Sequence, residues 1–364
     1  MKIVTIIGAR PQFIKAAAVS RVLKDYNDLK EIIIHTGQHY DDNMSEVFFQ
    51  ELEIPKPDYY LGIGSGSHGV QTGRMLEKIE GVLIKENPDV VLVYGDTNST
   101  LAGALAASKL QIPVAHVEAG LRSFNKKMPE EINRIVADHV SDLLFAPTEA
   151  AVDNLIREGI PRERIFNVGD VMFDAALYYG EKAEKESNIL EKLGLKPGKY
   201  ILSTIHRAYN TDIEERLRAI FEGLSRVSRE ITGVLPLHPR TKAALIREGL
   251  YEYVSKNVKV IEPVGYIDMI KLEKNSRLIV TDSGGVQKEA FFYKVPCVTL
   301  REETEWVELV ELGWNHLVPP VSGAFVEQGI KKALNSSCGL DAQPYGDGKS
   351  SEKIVGVLRE YLHI

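Results

Sequence analysis

Short apolar runs rich in Val and Ile alternate with longer amphipathic segments along nearly the whole chain. That rhythm constrains the fold more than any single motif does. Strand-like runs stand at 2–7, 30–35, 90–94, 114–117, 143–146 and 165–168, then at 200–205, 233–237, 258–261, 277–281 and 297–300. Helical patterns lie between them, at 14–24, 70–86, 99–109, 129–139, 150–158, 212–229 and 286–293. Strand, helix, strand in succession predicts α/β architecture, with parallel sheets covered by helices on both faces.

The rhythm breaks once, in the charged stretch "GEKAEKESNILEKLGLKPGKY", which closes with Lys-Pro-Gly before the next apolar run. A linker is expected between about Val168 and Pro197, dividing the chain into domains at 1–168 and 169–350, each Rossmann-like. At 364 residues the chain is long for one core and suits two. A net charge of −7 argues against a nucleic-acid surface, so any phosphate binding must be local. The two cysteines, Cys297 and Cys338, belong to no metal-spaced cluster, which fits a reducing cytoplasm. The N-terminus "MKIVTIIGARPQFIK" reads as a strand and a turn, and no apolar run approaches the ~18 residues of a membrane span.

In open α/β sheets ligands gather beyond the carboxyl ends of the strands. Two such domains are expected to turn those ends toward a shared cleft. The residues at or just past the strand-like runs include Arg10, Gln38, Asp96, His116, Glu118, His206, Arg207, His238 and Ser283-Gly284-Gly285. "VTDSGGVQKEAFF" runs from a strand through two glycines directly into a helix, whose first N–H groups would suit a phosphate. A plain capped turn using positive φ at glycine is the alternative. Glu289 leans back toward the same helix end, where an anion would repel a diphosphate but accept hydrogen bonds from ribose hydroxyls.

Asp96 and Glu118 end consecutive strands ~4.8 Å apart if adjacent, so two carboxylates would meet at one sheet edge and divide acid from base. The plainer reading makes Asp96 a helix cap and pairs Glu118 with Arg122 or Arg134. Glu130 stands in the first turn of "PEEINR", where acidic residues also occur for the helix dipole alone. Arg10 and Lys15 follow the first strand, with Pro11 fixing the turn, and either is also consistent with a solvated helix start. An isolated His206 is more often a core or surface residue than a catalyst.

"GARPQFIK", "HTGQH", "GDTNST", "HVEAGLRS", "MPEEINR", "LHPRT" and "TDSGGVQKEA" occur in the order found in the non-hydrolysing UDP-N-acetylglucosamine 2-epimerases, and the chain resembles that family over essentially its whole length. The resemblance implies a glycosyltransferase-B-like pair of Rossmann domains with a C-terminal helix, about 351–364, crossing back to the first domain. It implies interconversion of UDP-GlcNAc and UDP-ManNAc through a 2-acetamidoglucal, without redox cofactor or metal, for surface polysaccharide precursors, by a homodimer. It assigns catalysis to Asp96, Glu118, Glu130 and His206, and UDP-sugar contacts to Arg10, Lys15, Arg207, His238, Tyr266, Ser283, Gly284, Gly285, Glu289 and Arg301.

"HTGQHYDDNMSEVFF", "HRAYNTD" and "ETEWVELV" resemble the branch acting on UDP-2,3-diacetamido-2,3-dideoxyglucuronate; the common bacterial enzymes are expected to carry Arg where Trp306 stands. Only Gln38 and His39 match the turn through which some relatives bind an activating UDP-GlcNAc. A glycosyltransferase would share the fold and the UDP site but need an acceptor groove. A UDP-sugar-binding regulatory protein would have no use for Asp96, Glu118 and Glu130.

Overall fold

The computed structural model describes residues 1–38, 53, 56–336 and 339–363, with the side chain of Arg10 outside that description. Cys338 and the whole "HYDDNMSEVFF" stretch, His39 included, lie outside it as well. The chain forms two compact units, Met1–Ala175 with Gln343–Ile364, and Ala176–Ala342. Their boundary falls inside the helix Val171–Glu186.

The first unit holds β1 (Lys2–Ile7), β2 (Lys30–His35), β3 (Tyr59–Tyr60), β4 (Val90–Tyr94), β5 (Val114–Val117), β6 (Leu143–Ala146) and β7 (Ile165–Asn167). They form one sheet in the order β3-β2-β1-β4-β5-β6-β7, and every adjacent pair is parallel. The second unit holds β8 (Tyr200–Thr204), β9 (Thr232–Pro236), β10 (Lys259–Ile261), β11 (Leu278–Thr281), β12 (Cys297–Thr299) and β13 (Asn315–Leu317). Their order is β10-β9-β8-β11-β12-β13, again parallel throughout.

Period-2 alternation explains why these strands read as continuous apolar runs. In the second sheet Ile201, Val280 and Val298 pack on one face with Leu217, Phe221 and Leu224, while Leu202, Ile279 and Cys297 pack on the other with Leu190 and Ala290. Both faces are covered, so both sets of side chains leave water, at roughly 1.5–3 kcal/mol for each large one. Burial pushes the Cys297 thiol up to about 12, so this cysteine is a packing residue. The stretch read as a linker is itself ordered: Ile189 and Leu190 of the short helix Ile189–Leu193 join the second core.

The helix Ser350–Tyr361 packs in the first unit against the helix Arg10–Leu23. Asp174 accepts its first N–H groups, from Ser350 and Ser351, and Arg359 pairs with Asp28 at 2.9 Å. Among the described residues, no helix is long and apolar enough to cross a membrane.

Each sheet reverses its strand order once, at β1/β4 and at β8/β11. A crevice forms at such a reversal because neighbouring connections leave in opposite directions. The chain just past these four strands carries Arg10, Asp96, His206, Arg207 and Ser283-Gly284-Gly285.

Candidate active site

In the first unit a single amide organises the turn after β1. Gln12 accepts from the N–H groups of Gly8 and Ala9 at 2.8 and 3.1 Å and donates to the Tyr94 carbonyl and Thr100 Oγ1 at 2.8 and 3.0 Å. It thereby ties the β1 turn to the end of β4. Gly8 has no alternative residue here, because a Cβ would lie 2.0 Å from Thr36 Oγ1 and 2.3 Å from Ser99 Oγ. Arg10 opens the following helix, and its side chain is outside the described residues. Gln38 accepts from the N–H and hydroxyl of Ser99 at 3.0 and 2.7 Å.

Tyr94 pairs in register with Val117, so Asp96 and Glu118 leave adjacent strands within two residues of a matched position. Their partners differ from those anticipated. Thr97, not Asp96, caps the next helix by accepting from the Thr100 N–H. Asp96 instead forms an ion pair with Arg134. Glu118 pairs with Lys15 rather than with Arg122 or Arg134. Arg122 is occupied by Asp138 and by Glu158. Lys15, expected at a phosphate or sugar, is only 7% exposed and faces a carboxylate.

The backbone at Glu118 is unusual. Its φ is +71°, in the left-handed region that an L-residue with a long side chain seldom adopts. Strain of this kind costs of the order of 1–3 kcal/mol and persists where surroundings impose it, commonly at functional sites. Gly95 and Gly120, at +63° and +82°, make the tight bends beside it.

The two glutamates of "PEEINR" separate cleanly. Glu130 is exposed and makes no hydrogen bond or ion pair with the described residues. Glu131 is 1% exposed and accepts from the N–H groups of Ser123 and Phe124 at 2.9 and 2.8 Å, while Arg134 bonds it at 3.0 Å. Asn133 donates to the Asp96 carbonyl at 2.9 Å. The helix Pro129–Val140 therefore braces Asp96 through Arg134 and Asn133 and leaves Glu130 unbound.

In the second unit, buried Asp282 organises the turn after β8. Its carboxylate accepts from the N–H groups of His206 and Arg207 at 3.1 and 3.0 Å and from the Asn210 amide at 3.1 Å. The imidazole of His206 is 38% exposed, and its ring lies 5.6 Å from that of His238. His238 caps the helix Pro239–Arg247, with Nδ1 accepting from the Arg240 N–H at 3.2 Å. A neutral ring bonded this way offers Nε2–H to a ligand.

The helix Gly284–Phe292 starts without a side-chain cap, although Ser283 occupies the capping position. Neither glycine adopts positive φ, so the turn explanation for the pair does not hold. A Cβ at Gly285 would meet nothing within 4 Å. One at Gly284 would lie 3.7–3.8 Å from Glu305 Oε2, an Arg207 nitrogen and the indole nitrogen of Trp306. Trp306 donates that N–H to the Gly284 carbonyl at 2.9 Å, and the Lys288 ammonium lies 4.3 Å from its ring centroid.

Two expected contacts sit differently. Arg301 is held by Glu305 through two 3.0 Å bonds. That pairing, against the cost of burial, holds the Glu305 carboxyl below its ordinary range. Tyr266 is 6% exposed, packs edge-on against Tyr179 at 5.6 Å, and burial pushes its phenol up. The side chain is a core group at the start of the helix Tyr266–Lys274. Glu289 is half-buried on the helix that begins at Gly284. Among the described residues no group of three or more His, Cys, Asp or Glu is arranged to hold a metal.

Two parallel Rossmann-like sheets with polar turns at their reversals define an α/β protein of the glycosyltransferase-B-like class. A sequence profile of the UDP-N-acetylglucosamine 2-epimerases matches residues 21–359, and the chain belongs to that family. It is a UDP-sugar 2-epimerase, an isomerase. The chain is 55% identical over 365 residues to the UDP-2,3-diacetamido-2,3-dideoxy-D-glucuronate 2-epimerase of Pseudomonas aeruginosa, covering 100% of this chain and 99% of that one. It is 50% identical over 364 residues to the UDP-N-acetylglucosamine 2-epimerase of Methanocaldococcus jannaschii, covering 98% and 99%. The crystal structure of the M. jannaschii enzyme in complex with UDP-GlcNAc and UDP superposes with a TM-score of 0.86 at 49% identity, over 99% of this chain and 100% of that one.

Proposed function

We propose that this epimerase interconverts UDP-GlcNAc and UDP-ManNAc, supplying a surface polysaccharide precursor. The hydrogen on C2 is poorly acidic beside an acetamido-bearing carbon, so inversion without oxidation needs a departing group at C1. A carboxylate takes the C2 proton, its electron pair becomes the C1–C2 double bond, and the C1–oxygen bond breaks to release UDP. UDP then returns to C1 while a proton is delivered to the opposite face of C2.

The observation that carries this reading is the pair of turns after β4 and β5, where Glu118 is paired with Lys15 and Asp96 with Arg134. With unpaired Glu130, they make an acid/base set held by fixed cations. His206, Arg207, His238 and the uncapped helix start at Ser283-Gly284-Gly285 supply the donors and positive charge that a departing diphosphate needs. Glu289 serves ribose hydroxyls in this assignment.

The charge around Arg301 favours the neutral sugar. Arg301, a cation that could meet a C6 carboxylate, is already paired with Glu305. The second reading, a diacetamido-glucuronate substrate, is supported by the P. aeruginosa relative and by Trp306. Incubation with each UDP-sugar alone, followed by NMR of C2, decides between them. The proposal expects a UDP-GlcNAc/UDP-ManNAc mixture. Turnover of the uronate alone would replace the substrate, and release of free UDP with ManNAc would mean hydrolysis.

A further inference from the structure

Asp138 is fully buried on the helix Pro129–Val140, and three groups from one seven-residue span converge on it. His116 Nδ1 lies 2.7 Å from Oδ1, while the Gly120 N–H and an Arg122 nitrogen reach Oδ2 at 3.1 and 2.7 Å. Residue 118 sits between these attachments. The N–H groups of Glu118 and Ala119 both donate to the Phe145 carbonyl at 3.1 Å, so the turn is also fastened to the neighbouring strand.

The second nitrogen of His116 extends the network. Nε2 lies 2.7 Å from the Gly95 carbonyl, which can only accept, so Nε2 carries a hydrogen. Burial opposes charge on Asp138, but His116 and Arg122 outweigh it and hold the carboxyl below its ordinary range. The His116 ring bridges the Asp138 carboxylate and the Gly95 carbonyl. Gly95 directly precedes Asp96. One buried carboxylate thus reaches the turns that present both Glu118 and Asp96.

We propose that Asp138 is a positioning residue for the epimerisation. Acting through His116, Gly120 and Arg122, it holds Glu118 in its left-handed backbone conformation and aligns the Asp96 turn beside it. The inference rests on Glu118 belonging to the acid/base set. Without this anchor the Glu118 turn would relax toward an ordinary conformation and carry the carboxylate away from C2. Displacement of a reacting group by about 1 Å can cost on the order of 100-fold in rate.

The test compares Asp138→Asn with Glu118→Gln in the full-length enzyme, using UDP-GlcNAc with hydrogen or deuterium at C2. In Asp138→Asn, kcat is expected to fall about 100-fold with KM and calorimetric UDP affinity little changed. The isotope effect on kcat should rise, because proton removal becomes the slow step. A fall in kcat with an unchanged isotope effect would mean fewer folded molecules, and wild-type kcat would mean no positioning; either result overturns the proposal. Full activity in Glu118→Gln would remove the residue being positioned and overturn the catalytic assignment as well. If Asp138→Asn does not fold, His116→Asn, which keeps a donor toward Asp138 but loses Gly95, decides by the same rise or its absence.

Discussion

The ammonium of Lys15, on the helix after β1, is paired with the carboxylate of Glu118, just past the end of β5, and both side chains are largely buried. Breaking such a pair from one side leaves a charge uncompensated, which typically costs 3–5 kcal/mol. Lys15→Met is therefore expected to destabilise the fold by about 3 kcal/mol in urea titration. The double variant Lys15→Met with Glu118→Gln should recover most of that loss. Additive losses in the double variant would show that the two groups are not coupled.

Gly285 gives a sharper test of the helix start than removal of a side chain. Its φ is not left-handed, and a Cβ has open space. Gly285→Ala should stabilise the fold by roughly 0.4–1 kcal/mol while weakening UDP binding about tenfold, because the added methyl occupies the path of the phosphates. Calorimetry with unchanged UDP affinity would return "SGGVQKE" to an ordinary helix start.

Trp306 is tied to that same start through the Gly284 carbonyl, with Lys288 against its ring. In the proposed assignment the indole also braces the turn that would face the phosphates. Trp306→Phe keeps an aromatic ring and loses the N–H, so UDP-GlcNAc and the diacetamido-uronate should lose affinity by the same factor, about fivefold for a bond of ~1 kcal/mol. A loss confined to one sugar would mean that Trp306 reads the sugar rather than bracing the turn.

Much of this arrangement could be read before any coordinates. Parallel strands declare themselves through β-branched runs, and the polar residues past their carboxyl ends stand out against them. Strand β3, of two residues, is too short to show a period. The helix Tyr266–Lys274 has no side-chain cap and only a weak apolar stripe to announce it. Asp138 and Asp282 carry no comparable signal in the sequence, for a different reason. Their importance lies in convergence on groups distant in sequence, as when Asp282 accepts from the N–H groups 75 and 76 positions earlier. The left-handed backbone at Glu118 is likewise a tertiary product, imposed by its neighbours on a residue whose own propensity opposes it.

His35 links stability to pH. It ends β2 with 2% exposure, and burial pushes its imidazole from 6.5 down to about 4. The unfolded chain therefore binds a proton below about pH 6.5 that the folded chain refuses until about pH 4. Its contribution is complete above 6.5 and is lost as pH falls through that window, by roughly 3 kcal/mol in all. Urea midpoints should drop across this range in the wild type and less steeply in His35→Asn, whose Oδ1 still accepts from the Gly37 N–H. Equal slopes would assign the acid sensitivity to other groups.

The central claim is proton transfer at C2 by the carboxylates past β4 and β5. Turnover of UDP-GlcNAc in deuterium oxide, followed by mass spectrometry and NMR of the recovered UDP-ManNAc, tests it most directly. The account predicts solvent deuterium at C2 of every product molecule formed. Epimerised product retaining hydrogen at C2 would contradict it.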